Sequence, residues 1–289
     1  MHRTLDRPAE TVVVRPNTYA TILVHAEPAQ YSAHRVEVAA HLARDLGAHL
    51  IGLGAETFDP ALMSGPFTSY AAGEWIGFVQ EQITKELSDA EVSFRRDAAG
   101  ADLEWRAVQD YPHHALVLAA RAADLVVVSP RGALGPTRSV DPAEAVMTAG
   151  RPVLIVPEGR THLHGMSVVV AWKDTREGRR ALTDALPFLQ RAQDVIVLSV
   201  VAEDARQAAA NEIDDVVGNL KRHGVEARPL VSIIDHDGVT AEIERVAHAN
   251  GADLIVAGAY GHTRMREWAF GGVTDDFLNR PDCFVLLSH

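Results

Sequence analysis

The stretch ADLIVAG, residues 252–258, is a short apolar run that ends in glycine. Runs that are apolar at consecutive positions, without alternation, are typical of strands buried on both faces in a parallel sheet covered by helices. The stretch ADLVVVS, residues 123–129, repeats it 129 positions earlier (252 minus 123). A repeat this long predicts two duplicated domains, because solenoid repeats recur at only roughly 20–50 residues.

Working outward from these two runs, each half of the chain contains five strand-like segments separated by four segments of helical period. The order β-α-β-α-β-α-β-α-β, with right-handed crossovers, predicts an α/β fold: two tandem doubly wound, mostly parallel five-stranded sheets with helices on both faces. The predicted strands are Ala20–His25, His49–Gly54, Leu103–Val108, Asp124–Ser129, Val153–Val156, Ser167–Trp172, Asp194–Val201, Arg228–Ser232, Asp253–Gly258 and Cys283–Leu287. The predicted helices are Ser32–Leu46, Ala72–Arg96, His113–Ala122, Pro142–Thr148, Thr175–Gln190, Ala205–His223, Val239–Asn250 and Val273–Asn279.

The join between the halves is predicted in the polar segment 157–165, which is bounded by proline and glycine. We therefore expect one domain at 1–158 and a second at 159–289. A chain of 289 residues exceeds the usual size of a single domain, so its length agrees with this division.

Composition limits the classes of partner. The formal net charge of −12 disfavours nonspecific binding to nucleic acid or to anionic lipid. No apolar stretch reaches the roughly 18 residues that a membrane span requires. The single cysteine, Cys283, excludes an intrachain disulfide and favours a reducing compartment. We expect a cytoplasmic protein that contacts neither nucleic acid nor membrane.

The most specific signal is a glycine loop in the second half: Gly258 and Gly261, then nine residues, then the pair 271–272. It follows a buried strand and opens a helix, where free backbone N–H groups and the helix dipole attract an anion. Ligands of such sheets lie beyond the carboxyl ends of the strands. The alternative is that these glycines only end a strand and begin a helix, with no ligand.

At these residues the chain resembles the universal stress protein family, in particular its tandem two-domain members. The family's nucleotide-binding pattern is Gly-x2-Gly-x9-Gly-Ser/Thr, and the glycines above fit its spacing. The resemblance implies pairing of the two fifth strands. It also implies an adenine nucleotide, ATP or AMP, with adenine near Val200. The residues that it implies for phosphate and ribose are Gly258, Gly261, Gly271, Gly272 and Val273.

Two positions depart from the family pattern. Gly272 stands where the family has Ser or Thr, so the hydroxyl of Thr274 is the candidate substitute. Lys173 occupies the place of an Asp after the first strand; it cannot accept hydrogen bonds from adenine or ribose, although it can attract phosphate. Asp174 either replaces that acceptor or, as we favour, caps the next helix together with Thr175.

The corresponding site in the first half is predicted to be degenerate. Ser129 and Pro130 replace the first part of the glycine pattern, and proline has no N–H to donate. Asp141 and Pro142 stand at the start of the fourth helix as N-cap and first residue, and the carboxylate repels phosphate. We interpret this half as structural or repurposed. The long segment 58–73 is interpreted as a loop packed on its own sheet, with a lid as the alternative.

Catalytic and metal sites are not predicted. The sequence has no nucleophile elbow, and His162 and His164 in the linker are the nearest approach to a metal-binding pair. Enzymatic activity is therefore limited at most to slow hydrolysis of ATP.

Two functions remain open from the sequence. The first is a stress-response regulator or protective factor that binds an adenine nucleotide in its C-terminal domain and signals to an unidentified protein partner. The second is a nucleotide-independent scaffold or chaperone-like interaction protein. A homodimer is compatible with both, and fold alone does not choose between them.

Overall fold

The computed structural model describes residues 18–27, 32–58, 69–131, 138–261 and 272–289. Within these ranges strands and helices alternate regularly, as in a doubly wound α/β fold. The strands are β1 Thr21–His25, β2 His49–Ala55, β3 Asp102–Val108, β4 Leu125–Val128, β5 Val153–Ile155, β6 Ser167–Ala171, β7 Asp194–Val201, β8 Ala227–Ile233, β9 Leu254–Gly258 and β10 Phe284–Ser288. The helices are α1 Ala33–Leu46, α2 Ser69–Asp97, α3 Pro112–Ala120, α4 Pro142–Thr148, α5 Arg176–Asp184, α6 Leu186–Leu189, α7 Arg206–Arg222, α8 Gly238–Ala249 and α9 Gly272–Asn279.

All ten strands belong to one sheet, in the order β3-β2-β1-β4-β5-β10-β9-β6-β7-β8. Neighbouring strands within each half are parallel, and the halves join through the antiparallel pair β5 and β10. The predicted fold class is confirmed, and the fifth strands pair as the resemblance implied. The predicted division at residues 158–159 falls between β5 and β6.

The central strands are buried on both faces because they are apolar at successive positions, whereas the edge strands β3 and β8 are partly exposed. Ile22 and Val24 point into one apolar cluster, which α1, α5 and α7 cover, while Leu23 points into a second cluster on the other face. The second cluster is covered by α3, α4, α8 and α9. This double burial is why the strands read as continuous hydrophobic runs in the sequence.

Two predicted elements differ from the structure. The helix predicted over 175–190 is interrupted at Ala185, since Pro187 lacks the N–H that would continue the hydrogen-bond ladder. Part of the loop predicted over 58–73 is helical, because α2 already begins at Ser69, and residues 59–68 lie outside the described residues. None of the helices in the described ranges has the length and apolarity needed to cross a bilayer.

Contacts between the halves extend beyond the β5–β10 pair. The backbone N–H of Arg131 donates to the carbonyl of Leu278 at 2.9 Å. Its guanidinium contacts Asp141 in its own half and both Asp275 and Asn279 on α9. An arginine of the first half therefore borders the helix that follows the glycine loop of the second.

Candidate functional site

The carboxyl ends of β6, β7 and β9 lie side by side in the second half. Ala171 on β6 is in register with Ala257 on β9 and Leu198 on β7. The residues that follow these strands therefore meet at one edge of the sheet, which is where ligands of such folds bind. Val200 and Val273 both pack against the apolar cluster on the same face of the sheet.

The first two glycines of the loop pack against the start of α5. A Cβ on Gly258 would lie 2.4 Å from the backbone nitrogen of Gly178 and 2.5 Å from the carbonyl carbon of Glu177. A Cβ on Gly261 would lie 2.9 Å from Oγ1 of Thr175. Both glycines are thus required for a close approach of β9 to a helix start. This requirement holds whether or not a ligand is present.

Tyr260, between these glycines, has a left-handed backbone with φ of 62°. A non-glycine residue in this conformation costs on the order of 1 kcal/mol and is found often at ligand-binding loops. Its ring packs edge-to-face on His289 with a centroid distance of 6.4 Å. The loop therefore leaves the sheet in a strained turn supported by the last residue of the chain.

Thr175 caps α5, and Asp174 does not. Oγ1 of Thr175 accepts a hydrogen bond from the N–H of Gly178 at 3.1 Å. Asp174 instead accepts from the Arg179 guanidinium, at 2.6 and 3.0 Å, on the exposed side of the helix. The expected capping role of Asp174 is wrong because the neighbouring arginine holds its carboxylate.

Glu177 is the residue at this edge that sequence reasoning missed. It is buried, 7% exposed, and its Oε2 lies 3.0 Å from the Cβ position of Gly261. Burial opposes ionisation, but hydrogen bonds from its own N–H, from Arg176 and from Thr175 outweigh burial and lower the pKa of its carboxyl. An acidic residue in the first turn of a predicted helix is a signal that the sequence offered, because a carboxylate there is stabilised by the helix dipole.

The start of α9 has space for a side chain among the described residues, whereas Gly258 and Gly261 do not. Among the described residues, a Cβ on Gly272 would meet no atom within 4 Å, and Gly272 is exposed. Val273 is half-buried, whereas Thr274 is 7% exposed and buried in the helix packing. Thr274 therefore does not line an open surface as the substitute hydroxyl would have to. Gly271 lies outside the described residues.

Lys173 is exposed directly after β6 and the buried Trp172. The predicted site residues Lys173, Val200, Gly258, Gly261, Gly272 and Val273 are therefore all at the carboxyl edge of one sheet. Which of them contact a ligand stays a prediction.

Comparison with known proteins agrees with this geometry. The model of the universal stress protein family matches residues 166–289, which contain the whole edge described above. The C-terminal domain belongs to the universal stress protein family. The resemblance inferred from the glycine loop is confirmed by this match.

A universal stress protein of Methanocaldococcus jannaschii is 26% identical over 82 residues, which are 28% of this chain and 48% of that protein. The match thus spans about half of that relative. A universal stress protein structure from Archaeoglobus fulgidus superimposes with a TM-score of 0.68 at 14% identity, covering 93% of this chain and 95% of that one. A Pseudomonas aeruginosa protein of unknown function gives 0.55 at 14% identity, with 93% and 92% covered. Both structural similarities span the two halves and show a shared fold.

The corresponding edge of the N-terminal half holds buried ionisable side chains. His25, Glu27 and Arg35 are each at most 5% exposed, and Glu27 Oε1 lies 3.5 Å from His25 Nδ1 and 3.7 Å from an Arg35 nitrogen. Arg35 also donates to Oγ of Ser129 at 2.8 Å. Burial opposes ionisation of Glu27, but Arg35, His25 and Ser139 lower its pKa to about 2. This buried cluster therefore follows β1 and reaches Ser129, the residue that corresponds to Gly258.

A second carboxylate follows the neighbouring strand in the same half. Glu56, 2% exposed, accepts a hydrogen bond from Nε of Arg138 at 2.6 Å, and the same guanidinium binds Glu86 on α2. Burial and the adjacent Glu86 raise the pKa of Glu56 to about 7, although Arg138 opposes them. Glu56 thus changes charge near neutral pH.

We expect Glu56 to make the stability of the protein fall as pH rises from 5 to 8. Its folded pKa lies above its ordinary value, so the folded state binds the proton more tightly, and this stabilisation is lost as pH approaches 7. The contribution is about 1–2 kcal/mol, because the partners Arg138 and Glu86 are open to solvent. Glu27, whose pKa is lowered, makes the stability depend on pH only below about pH 4.5.

The measurement is urea unfolding at several pH values for the wild type and for Glu56→Gln. Glutamine mimics the protonated carboxyl, so the two proteins should agree near pH 5 and differ near pH 8. Glu226→Gln, at an exposed carboxylate before β8, is the control for the change of net charge. If the free energy of unfolding changed with pH in the same way for the wild type and for Glu56→Gln, the expectation would be contradicted.

The parts of the chain that the structure describes contain no group of three or more His, Cys, Asp or Glu side chains arranged to hold a metal ion. In the linker, the ring of His162 contacts the tilted ring of His164 and, edge-on, the ring of His41, with centroid distances of 4.3 and 4.7 Å.

Proposed function

We propose that the C-terminal domain binds an adenine nucleotide, ATP or AMP, and that occupancy lets this cytoplasmic protein act as a regulator or protective factor in a stress response. The observation that carries the proposal is the arrangement at one sheet edge. The strained turn at Tyr260 follows β9 where the carboxyl ends of β6, β7 and β9 lie side by side, and no described residue obstructs Gly272 at the start of α9. The family match over the same residues supports it.

At the start of α9, this edge of the sheet offers hydrogen-bond donors to a negatively charged ligand. The first backbone N–H groups of α9 have no partner within their own helix, and the helix dipole adds partial positive charge there. Gly272 itself places no side chain beside these groups, and no described residue comes within 4 Å of its Cβ position. Such main-chain donors act locally, so the net charge of −12 does not prevent binding.

The proposal assigns one nucleotide to each chain. In the N-terminal half, the cluster of His25, Glu27 and Arg35 already occupies the equivalent edge. The carboxylate of Glu27, ionised above about pH 2, adds negative charge where phosphate would lie. Asp141 accepts from the N–H of Ala143 at 2.8 Å and so takes up a free donor at the start of α4.

The test is to acid-release any small molecule from freshly purified protein and to identify it by chromatography. The ligand-free protein is then titrated with ATP and AMP by calorimetry and by thermal shift. We expect a stoichiometry of one per chain and a higher Tm with nucleotide. An empty protein with no thermal shift and no heat of binding would leave the proposal without support.

The scaffold function remains the second candidate, and Lys173 favours it. A lysine at the end of β6 removes the acceptor that adenine or ribose needs there, and Asp174 is held by Arg179. A scaffold would act through partner contacts that persist without nucleotide. Pull-down of partners by the protein in both nucleotide-free and nucleotide-loaded states separates the two functions.

A further inference from the structure

The strand β3 forms one outer edge of the sheet, and within the described residues its one neighbouring strand is β2. The N–H of Glu56 donates to the carbonyl of Val108 at 3.3 Å, in register with the pairs further along these two strands. The backbone groups of a strand point alternately to its two sides, so the even-numbered residues of β3 bond to β2. The N–H and C=O groups of Leu103, Trp105 and Ala107 therefore face outward, away from the sheet.

The opposite edge of the sheet, β8, carries a proline in its row of outward groups. The N–H of Ile234 donates to the carbonyl of Val201 at 2.9 Å, so the even-numbered residues of β8 bond to β7, and Pro229 faces outward. Proline has no N–H to offer a further strand, which protects a sheet edge from pairing. The seven residues of β3 include no proline. Of the two edges, β3 is therefore the one that can accept another strand.

Packing holds β3 in place. The ring of Trp105 lies on the ring of Phe94 with a centroid distance of 5.4 Å, and it approaches the Cβ position of Gly54 on β2 to 2.5 Å. Leu103 packs against the same apolar cluster. A strand that is already fixed loses little conformational freedom when a second strand pairs with it.

The charged side chains of β3 are complementary to those of a second copy of the same strand. Glu104 and Arg106 lie on one face, partly exposed, with Oε1 and Nε 2.7 Å apart. This hydrogen bond lowers the pKa of Glu104 and so favours its ionised form. Charges at a sheet edge often oppose pairing. An antiparallel copy centred on Trp105, however, places Glu104 opposite Arg106 of the second copy at both ends of the pair, and unlike charges in these positions attract.

We propose that two copies of this chain associate by antiparallel pairing of their β3 strands, with Trp105 on the twofold axis. Leu103 and Ala107 of one copy then bond to Ala107 and Leu103 of the other, and Trp105 bonds to its own copy, which gives about six backbone hydrogen bonds. A twofold axis closes the assembly at a dimer. The edge at Pro229 does not extend it further.

The charges also select the register of this pair. Outward groups must meet outward groups, so the next possible registers are centred on Glu104 or on Arg106. Each of these places the central residue opposite its own copy, and like charges directly opposite each other are destabilising. Of these three registers, the one centred on Trp105 alone keeps like charges apart.

Sedimentation of the full chain from about 1 to about 300 μM measures the dimer. We expect a Kd on the order of 10 μM, since pairing of two strands buries less than a standard interface. Ala107→Pro removes an outward N–H without removing a bond to β2, and it should raise this Kd at least about 30-fold. Ala227→Pro is the matched control, because it makes the same change at an outward position of β8 and should leave Kd unchanged.

Charge reversal tests the pairing of Glu104 with Arg106. Glu104→Arg and Arg106→Glu each set like charges opposite each other, and each should raise Kd at least about tenfold. Mixed in equal amounts, the two variants set unlike charges opposite each other at both ends of the pair and should form a heterodimer as tight as the wild-type dimer. Circular dichroism checks that each variant is folded, and recovery in the mixture cannot arise from misfolded chains.

Hydrogen exchange locates the contact. The amides of Leu103, Trp105 and Ala107 should be protected only at concentrations where the wild type is dimeric. A wild type that stays monomeric over the whole range overturns the proposal. A dimer that neither Ala107→Pro nor charge reversal weakens also overturns it, because its interface then lies elsewhere. Protection of these amides in the monomer overturns it as well, because another segment of the chain then covers the edge.

Discussion

Replacing Gly272 by aspartate is expected to weaken nucleotide binding by about 100-fold or more while leaving the domain folded. A Cβ at this position meets no atom of the described residues within 4 Å, and the backbone of Gly272 is not left-handed. The new side chain therefore fits without strain. Its carboxylate stands at the first residue of α9, where the proposed phosphate would accept from backbone N–H groups.

Gly272→Asn is the matched control, because it has the same shape without the charge. We expect Gly272→Asn to change Kd for AMP only several-fold and to keep the Tm of the wild type within about 2 °C. Calorimetry gives the Kd values, and circular dichroism shows that each variant is folded. Equal affinity for nucleotide in Gly272→Asp and Gly272→Asn would place the ligand elsewhere.

Replacing Gly258 by alanine is expected to destabilise the protein by about 3 kcal/mol even without nucleotide. The added methyl would lie 2.4 Å from the backbone nitrogen of Gly178, and backbone atoms cannot move aside as a flexible side chain can. The strand β9 and the start of α5 would have to separate. Because β9 lies between β6 and β10 in the sheet, this separation disturbs the core of the domain.

Urea unfolding of the ligand-free protein measures this effect. Gly218→Ala is the control, since Gly218 lies within α7 and a Cβ there meets no atom within 4 Å. Alanine at that position should stabilise the helix by about 0.5–1 kcal/mol. If Gly258→Ala is as stable as the wild type, the close contact between β9 and α5 is not a requirement of the fold.

These two variants separate the roles that one glycine pattern combines. Gly258 and Gly261 allow β9 to approach α5, and a change there is expected to act first on folding. Gly272 makes no such contact and borders open space, so a change there is expected to act on the ligand alone. Loss of binding in a Gly261 variant would therefore be poor support for a phosphate site, whereas loss in Gly272→Asp would be good support.

The sequence by itself determined the architecture of each half. The ten predicted strands are all present, within one residue of the predicted bounds. The central strands could be predicted because a strand buried on both faces must be apolar at successive positions, whereas the edge strands β3 and β8 are partly exposed. The cap at Asp141 and the proline at position 142 also followed from local chemistry. The break at Pro187 was equally local, and the missing N–H of proline was a signal that the helix prediction ignored.

Which charged side chains lie together at one edge of the sheet was decided by the tertiary structure. Glu177 and Gly261 are 84 positions apart (261 minus 177), and only the pairing of β6 with β9 brings the helix start of one against the loop of the other. Likewise Arg35 reaches Ser129, and Arg138 joins Glu56 to Glu86, across distances that no local pattern encodes. Periodicity reports how much of a residue is buried, but the partner of a buried charge depends on strand order, which is a property of the assembled sheet.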